Sequence, residues 1–282
     1  MNLQCTKAVI AVGGFGTRWL PLTKSIEKCM LPVGNRPVID YIVDDCIAAG
    51  ITDIYFVVGE QSAQLRSYYS DNPALNAHLE NKGKTKELEA VRRISSKANF
   101  HFIVQDASLP YGTAVPVMLF EKSIKLEANE QVIVIMGDQF VHNADGGSEI
   151  AHLLDGVKEA NVTAGMGVVH VPREEVSKYG IVELIRDHGH QLFKRIVEKP
   201  TPETAPSTLN NLSLYVFDQE ILACLQHIKP TNGEYYVTDA LNIYVGELGK
   251  DMAVVTTKGE YLDCGTVDGW LHANQYMAKH QQ

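Results

Sequence analysis

Three basic side chains, Arg18, Lys24 and Lys28, follow a glycine-rich turn at Gly13, Gly14 and Gly16 in GGFGTRWLPLTKSIEKCMLP. Glycines let a backbone curl tightly enough to aim several N–H groups at one anion. An Arg grips a phosphate through two parallel bonds, and a Lys adds a mobile point charge. The combination suits a polyphosphate. It differs from the better-known phosphate loops, having no GK[ST] ending, no three-glycine dinucleotide spacing and no helical pattern directly after the turn. Glycines alone describe a surface turn equally well. Three cations behind a first apolar strand shift the reading to an anion site.

Two carboxylates stand far apart in sequence but in similar settings. Asp138 follows the apolar run QVIVIM and Gly137, and Asp263 ends the extended run in EYLDCGTVDGW. Each alone could be a turn or cap residue. Together they could share a hard divalent cation such as Mg²⁺, which prefers oxygen ligands, keeps several waters and bridges to phosphates. Gln105 ends another strand, with Gly112 downstream in QDASLPYGTAV. A Gln side chain carries both a donor and an acceptor and can match a pyrimidine edge, or can simply be exposed. Glu198-Lys199 in IVEKP, taken by itself, reads as a solvated pair at a strand end. Cys29 has no His partner nearby in sequence, so it reads as structural.

These residues need elements to hold them. Thr6–Val12 reads as a buried strand, Pro37 to Gly50 as a helix with Pro at its start and Gly past its end, and Asp53–Val58 as a second strand. That is a βαβ unit. Residues 61–98 are polar and mostly helical, and KGKTKELEAVRR, interrupted by acids, is a solvated face. Phe100–Val104 and Gln131–Met136 are further strands, with a helical pattern over Thr113–Lys125 between them. Ligands of open α/β sheets bind at the carboxyl ends of strands, where Asp138 falls. In the second half, Val162–His170, Ile181–Ile185, Leu192–Val197 and Asn211–Phe217 are strands, some antiparallel, and Met252–Thr257 is extended. Val237–Leu248 and Asp268–Lys279 are helical, and Pro200–Pro206 is a loop with room to move.

The 282 residues suit one large α/β domain or two modest ones, and with no linker visible a single domain is favoured. A net charge of −9 speaks against a nucleic-acid binder, so the cations must be concentrated locally. The five cysteines lack CxxC spacing and suit reduced thiols in a cytoplasm. No stretch approaches a membrane span.

Taken in order, these motifs resemble the sugar-phosphate nucleotidyltransferases. GxGTRxLPxTKxxxKxMLP is similar to that family's signature loop, and TRWLPLTK and CIAAGITDI (46–54) are most like its bacterial uridylyltransferases. The resemblance runs from residue 8 to about 275. It implies a Rossmann-like α/β fold: a mixed, mostly parallel sheet with flanking helices and a smaller sugar-binding β insertion. It also implies a nucleotide half over about 1–140 and a sugar half with C-terminal helices over about 141–282. The implied reaction moves a uridylyl group from UTP to glucose 1-phosphate with Mg²⁺. The same chemistry with dTTP or another sugar phosphate remains an alternative, as does a non-catalytic sugar-nucleotide-binding regulator. By resemblance, Val12, Gly13, Gly14, Gly16, Thr17, Gln105 and Gly112 bind nucleotide, and Arg18, Lys28 and Lys199 are catalytic. Gly180, Glu198, Lys199 and Ser213 bind the sugar phosphate, and Asp138 and Asp263 hold the metal. Glu234, in a stretch similar to the family's GEIQLTDA, is a sugar contact or a helix cap. The chain departs from the family pattern at Val12-Gly13, at Glu27-Lys28-Cys29, and at Thr113, Ser213, Tyr236 and Thr266. Exposed helical segments near both ends leave room for a homo-oligomer, a dimer or tetramer. No nucleic-acid or membrane partner is expected.

Overall fold

The computed structural model describes residues 3–106, 108, 110–187 and 189–280. The first half runs β1 (Gln4–Ala11), β2 (Pro32–Val33), β3 (Arg36–Pro37), α1 (Val38–Ala48), β4 (Asp53–Gly59), α2 (Gln64–Tyr69), α3 (Pro73–Asn81), α4 (Thr85–Ser95), β5 (Asn99–Gln105), α5 (Val115–Ser123) and β6 (Glu130–Met136). The second half runs β7 (Gln139–His142), α6 (Glu149–Glu159), β8 (Gly165–His170), β9 (Gly180–Asp187), β10 (His190–Glu198), β11 (Leu209–Phe217), α7 (Gln219–Cys224), α8 (Val237–Asn242), β12 (Ala253–Thr256), β13 (Glu260–Asp263) and α9 (Val267–His280).

Nine strands form one sheet in the order β5-β4-β1-β6-β11-β8-β12-β10-β9. The four strands of the first half are parallel neighbours. Because side chains alternate across a strand, β1 sends Ala8 and Ile10 to one face and Val9 to the other, and all three are buried. One face packs against α1 and α6, and the opposite face against α5, α7 and α8. Beyond β6 the sheet changes: β11 is antiparallel to β6 and β8, and β10 is antiparallel to β12 and β9, leaving β8–β12 parallel. A separate two-stranded ladder joins β7 to β13, with Asp263 opposite Gln139.

The expected strands are all present, and several boundaries move for local reasons. Pro37 precedes α1 in an extended conformation, because it also pairs with Pro32 across the β2–β3 ladder. Gly50 ends α1 with φ +87°. The helix expected from Thr113 starts at Val115, since Thr113 and Ala114 are bonded instead to Val237 and Tyr235, far along the chain. Val237–Leu248 divides into α8 and a wider π turn over Ile243–Glu247. The loop at Pro200–Pro206 is held rather than loose: the Arg173 guanidinium donates to the carbonyls of Pro202 (2.7 Å), Ala205 (2.9 Å) and Ser207 (3.1 Å). Sequence reasoning missed α6. Gly156 weakens its helical signal, yet the glycine is needed, because a Cβ there would stand 2.5 Å from Val255.

Candidate active site

The parallel strands end together along one edge and open an empty cleft of about 1190 Å³, open solvent included. The turn after β1 forms one wall. Val12 continues the strand by one bond, its N–H donating to Val57 O at 2.9 Å, before the glycines curl away. Gly16 is left-handed (φ +61°), and its carbonyl accepts from the Thr23 hydroxyl at 2.9 Å. A Cβ on Gly13 would stand 3.2 Å from Gln105 Oε1, so the Gln105 side chain lies over the first glycine. Nothing stands within 4 Å of a Cβ on Gly14. Thr17, Arg18, Lys28 and Gly112 line the same cleft, so the expected nucleotide residues are brought together.

The Gly112 side of the cleft is clamped by a distant segment. Gly112 has φ +130°, and a Cβ on it would come within 2.1 Å of Tyr235 O. Tyr235 N donates to Tyr111 O at 2.8 Å, and Ala114 N donates to Tyr235 O at 3.0 Å. Val237 N, at the start of α8, donates to the Thr113 hydroxyl at 3.1 Å. This contact explains what the Thr113 departure does. The clamp turns Glu234 into the cleft wall, while Tyr236 takes the position preceding α8, so Glu234 is not the cap.

The metal candidates meet at the opposite wall. Lys28 Nζ donates to Asp138 Oδ2 at 2.6 Å. Cys264 N donates to Asp138 O at 3.0 Å, which draws the end of β13 against the end of β6. Asp263 Oδ1 accepts from Gly265 N at 2.6 Å. A Cβ on Gly265 would stand 2.6 Å from Asp263 Oδ1 and 3.6 Å from Asp138 Oδ2, so the two carboxylates flank a common point that only a glycine leaves open. Burial raises the Asp263 carboxyl above its usual range; the charge of Asp138 adds to this, and the Gly265 N–H, Lys28 and Arg18 oppose it. A cation between the carboxylates would remove that repulsion, so the residues fit a metal. Among the described residues no cluster of three or more His, Cys, Asp or Glu forms a metal site. A pair of carboxylates suits a cation that completes its shell with water and phosphate.

The same wall is fastened by residues from both ends of the chain. Trp19 Nε1 donates to Cys264 O at 3.2 Å, and Trp19 meets Trp270 edge-on at 5.7 Å. Trp270 Nε1 in turn donates to Pro32 O at 2.7 Å. Thr266 caps α9, its hydroxyl accepting from Gly269 N at 3.2 Å. Glu27, one place before Lys28 where the family's acid follows the Lys, binds the start of α2 instead: it accepts from the Ser62 hydroxyl at 2.5 Å and from Gln64 N at 2.6 Å. The basic loop is thereby held from behind, with Lys28 facing Asp138. Burial pushes the Cys29 thiol well above its usual range, in keeping with a structural role.

The sugar candidates sit on or beside the antiparallel strands and are not among the residues that line the cleft. Gly180 pairs with Glu198 across β9–β10, and a Cβ on Gly180 would stand 3.0 Å from Glu198 Oε1. Lys199 N donates to Tyr179 O at 2.9 Å. Lys199 and Ser213 both adopt the left-handed region, with φ 45° and 51°. Burial raises the Tyr179 hydroxyl, with further effect from Glu175 and Asp263. Tyr236 bonds Glu234, which raises its hydroxyl, and the charge of Glu198 also reaches it.

The sequence model of the nucleotidyl transferase family matches residues 7–280. The chain belongs to that family. It is 37% identical to the UTP–glucose-1-phosphate uridylyltransferase of Bacillus subtilis (strain 168) over 237 residues, 83% of this chain and 78% of the relative. It is 30% identical to the enzyme of that name from Pseudomonas aeruginosa over 275 residues, 96% and 95% of the two chains. Among solved structures, apo UDP-glucose pyrophosphorylase superposes with a TM-score of 0.88 at 28% identity, covering 99% of this chain and all of the other. UTP-bound UGPase from Acinetobacter baumannii superposes with a TM-score of 0.86 at 28% identity, covering 97% and 93%. Nucleotidyltransferases of this kind use a divalent metal, and Asp138 and Asp263 are this member's candidates to hold it. No helix among the described residues is long and apolar enough to cross a membrane.

Proposed function

We propose that this nucleotidyltransferase moves a uridylyl group from UTP to glucose 1-phosphate, giving UDP-glucose and pyrophosphate, with Mg²⁺ as its metal. The observation that carries the reading is the convergence of the glycine turn, Arg18, Lys28 and Gln105 on one cleft that Asp138 also lines, with Asp263 close to Asp138 beside Gly265. The names of the relatives and the complexes of the structural neighbours with UTP and UDP-glucose support it.

A 1-phosphate oxygen of the sugar attacks the α-phosphorus of UTP. The bond to the bridging oxygen breaks on the opposite side, and pyrophosphate leaves with that electron pair. No protein nucleophile is needed, so the residues contribute position and charge. The glycine turn offers N–H groups to the phosphates, and Gln105 reads the uracil edge. Arg18 and Lys28 neutralise the triphosphate. Glu198 accepts from sugar hydroxyls, with Gly180 leaving room for its carboxylate, and Lys199 holds the attacking phosphate beside Ser213. Asp138 and Asp263 would hold Mg²⁺, which would supply positive charge to the reacting phosphates.

The chain is read as one domain acting in the cytoplasm, supported by five free cysteines, four of them buried. A homo-oligomer is supported by the exposed apolar side chains Val267 and Leu271 on α9. The deciding experiment measures pyrophosphate release with UTP, dTTP, CTP and GTP, each with glucose 1-phosphate and then with other sugar phosphates. UTP with glucose 1-phosphate should give the highest kcat/KM. A preference for dTTP would reassign the base. Tight UDP-glucose binding without any pyrophosphate release would make the chain a regulator.

A further inference from the structure

We infer that the bulge of β11 at Leu212–Ser213 is a strut that couples the sugar-phosphate subsite to the metal carboxylates, with Gln139 and Asn211 as its positioning residues. The inference rests on the proposed reading of the site, in which Ser213 faces the sugar phosphate and Asp138 and Asp263 take the metal.

The register between β11 and β8 breaks between Asn211 and Tyr215, and Ser213 lies inside that break with φ 51°. A non-glycine residue persists in this region only where its surroundings hold it. Asn211 does so from one side. Its Oδ1 accepts from Ser213 N at 3.0 Å, and its Nδ2 donates to the Tyr215 hydroxyl at 2.7 Å. Tyr215 is fully buried, so the anchor cannot swing. Just ahead of the bulge, Asn210 pairs with Ile181 of β9, next to Gly180, which lies opposite Glu198, so the bulge follows a segment tied to the Glu198 strand pair.

Gln139 grips the bulge from the other side. Its Nε2 donates to Leu212 O, and its Oε1 accepts from the Tyr261 hydroxyl at 2.7 Å. Gln139 directly follows Asp138 in the chain and lies opposite Asp263 in the β7–β13 ladder. One side chain therefore touches the backbone of the sugar strand while its own backbone is tied to both metal candidates. A displacement of either carboxylate on taking a cation is passed to Leu212 and Ser213. Such coupling is reciprocal: sugar phosphate must tighten the cation by the factor with which the cation tightens sugar phosphate.

The test titrates Mg²⁺ at several fixed glucose 1-phosphate concentrations, with UTP saturating, in the wild-type protein and in Gln139→Met, Tyr261→Phe, Asn211→Ala and Ser213→Gly. Thermal melting checks that each variant folds. In the wild type the Mg²⁺ activation constant should fall by about fivefold or more as glucose 1-phosphate rises to saturation. Gln139→Met keeps the length of the side chain and loses both bonds. It should abolish that dependence and raise KM for glucose 1-phosphate by roughly tenfold, with KM for UTP changed less than about twofold. Tyr261→Phe should give a smaller loss of the same kind. Asn211→Ala should raise KM for glucose 1-phosphate in the wild-type background and by less in the Ser213→Gly background, where the strained residue no longer needs holding. Equal changes in both KM values, or a dependence that survives in Gln139→Met, would overturn the strut. Should the wild type release no pyrophosphate with any substrate pair, the proposed function falls first. The strut is then judged by calorimetric titration of UDP-glucose with and without Mg²⁺, where the wild type should show coupling and Gln139→Met should not.

Discussion

The residues proposed for the nucleotide gather at the carboxyl ends of parallel strands, around a turn of glycine backbone, whereas those proposed for the sugar phosphate lie on or beside antiparallel strands that shift register. The first half makes room by omission: Gly13, Gly112 and Gly137 each lie where a Cβ would press on a neighbour. The second half makes room by distortion, with Lys199 and Ser213 held at φ 45° and 51°, a conformation that costs about 1–2 kcal/mol for an ordinary residue. A surface of glycine backbone carries little discrimination of its own and suits phosphates, which any such nucleotide shares. A surface of strained side chains can be tuned one residue at a time, which suits the choice of sugar. The two halves are joined where Asp138, at the end of the parallel set, meets Asp263.

That contrast can be broken at its junction first. Asp138→Asn should lower turnover at least ~100-fold, the scale of losing one preorganised electrostatic stabiliser. A near-normal kcat with Mg²⁺ would remove Asp138 from the metal wall. Next in size, Lys199→Ala should raise KM for glucose 1-phosphate roughly 30-fold while leaving UTP affinity nearly unchanged, as expected for a charge-assisted phosphate contact. If equilibrium titration instead shows UTP weakened more, the two halves do not divide the substrates in this way.

A third prediction concerns stability along the seam. Asp45, near the end of α1, accepts from the Ser148 hydroxyl at the start of α6, and burial raises its carboxyl to about 6. The folded state thus holds this proton more tightly than the unfolded chain. The resulting stability is fully present below about pH 4 and is lost as pH rises through about 6, by at most about 3 kcal/mol. Asp45→Asn should remove that slope from melting temperatures measured between pH 4 and 7; an unchanged slope would place the titration elsewhere. The smallest effect separates two adjacent glycines. Gly13→Ala crowds Gln105 and should raise KM for UTP about fivefold, whereas Gly14→Ala meets open space and should change it less than about twofold. Equal effects would mean that Gln105 does not read the base from its place over Gly13.

The same contrast governs how much was legible in the sequence. In the parallel half, runs such as KAVIAV and QVIVIM announce strands buried on both faces, and ligands gather where such strands end, so the glycine turn, Gln105 and Asp138 could be placed from order alone. Lys199 and Ser213 were reached through resemblance, because a bulge depends on which residue lies opposite, and nothing local in IVEKP or NNLSLY encodes that. Gln139, Tyr261 and the Tyr235 clamp on Gly112 went unread for the same reason: each acts on a residue distant in the chain. Thr113, Glu27 and Thr266 were visible only as departures. The structure gives each a local task, in the clamp on α8, the hold on α2 and the cap of α9.

The bond from Trp19 to the Cys264 carbonyl, with Trp270 resting on Trp19, has a consequence for how the molecule is made. A ribosome releases the glycine turn early, and the parallel strands that support it soon after. The carbonyl that fastens Trp19 emerges 245 residues later, together with Asp263 and just ahead of the second tryptophan. A nascent or clipped chain ending before Asp263 can therefore fold much of its nucleotide half and still lack a complete metal wall. The two metal candidates therefore come together only when nearly all of the chain has been made.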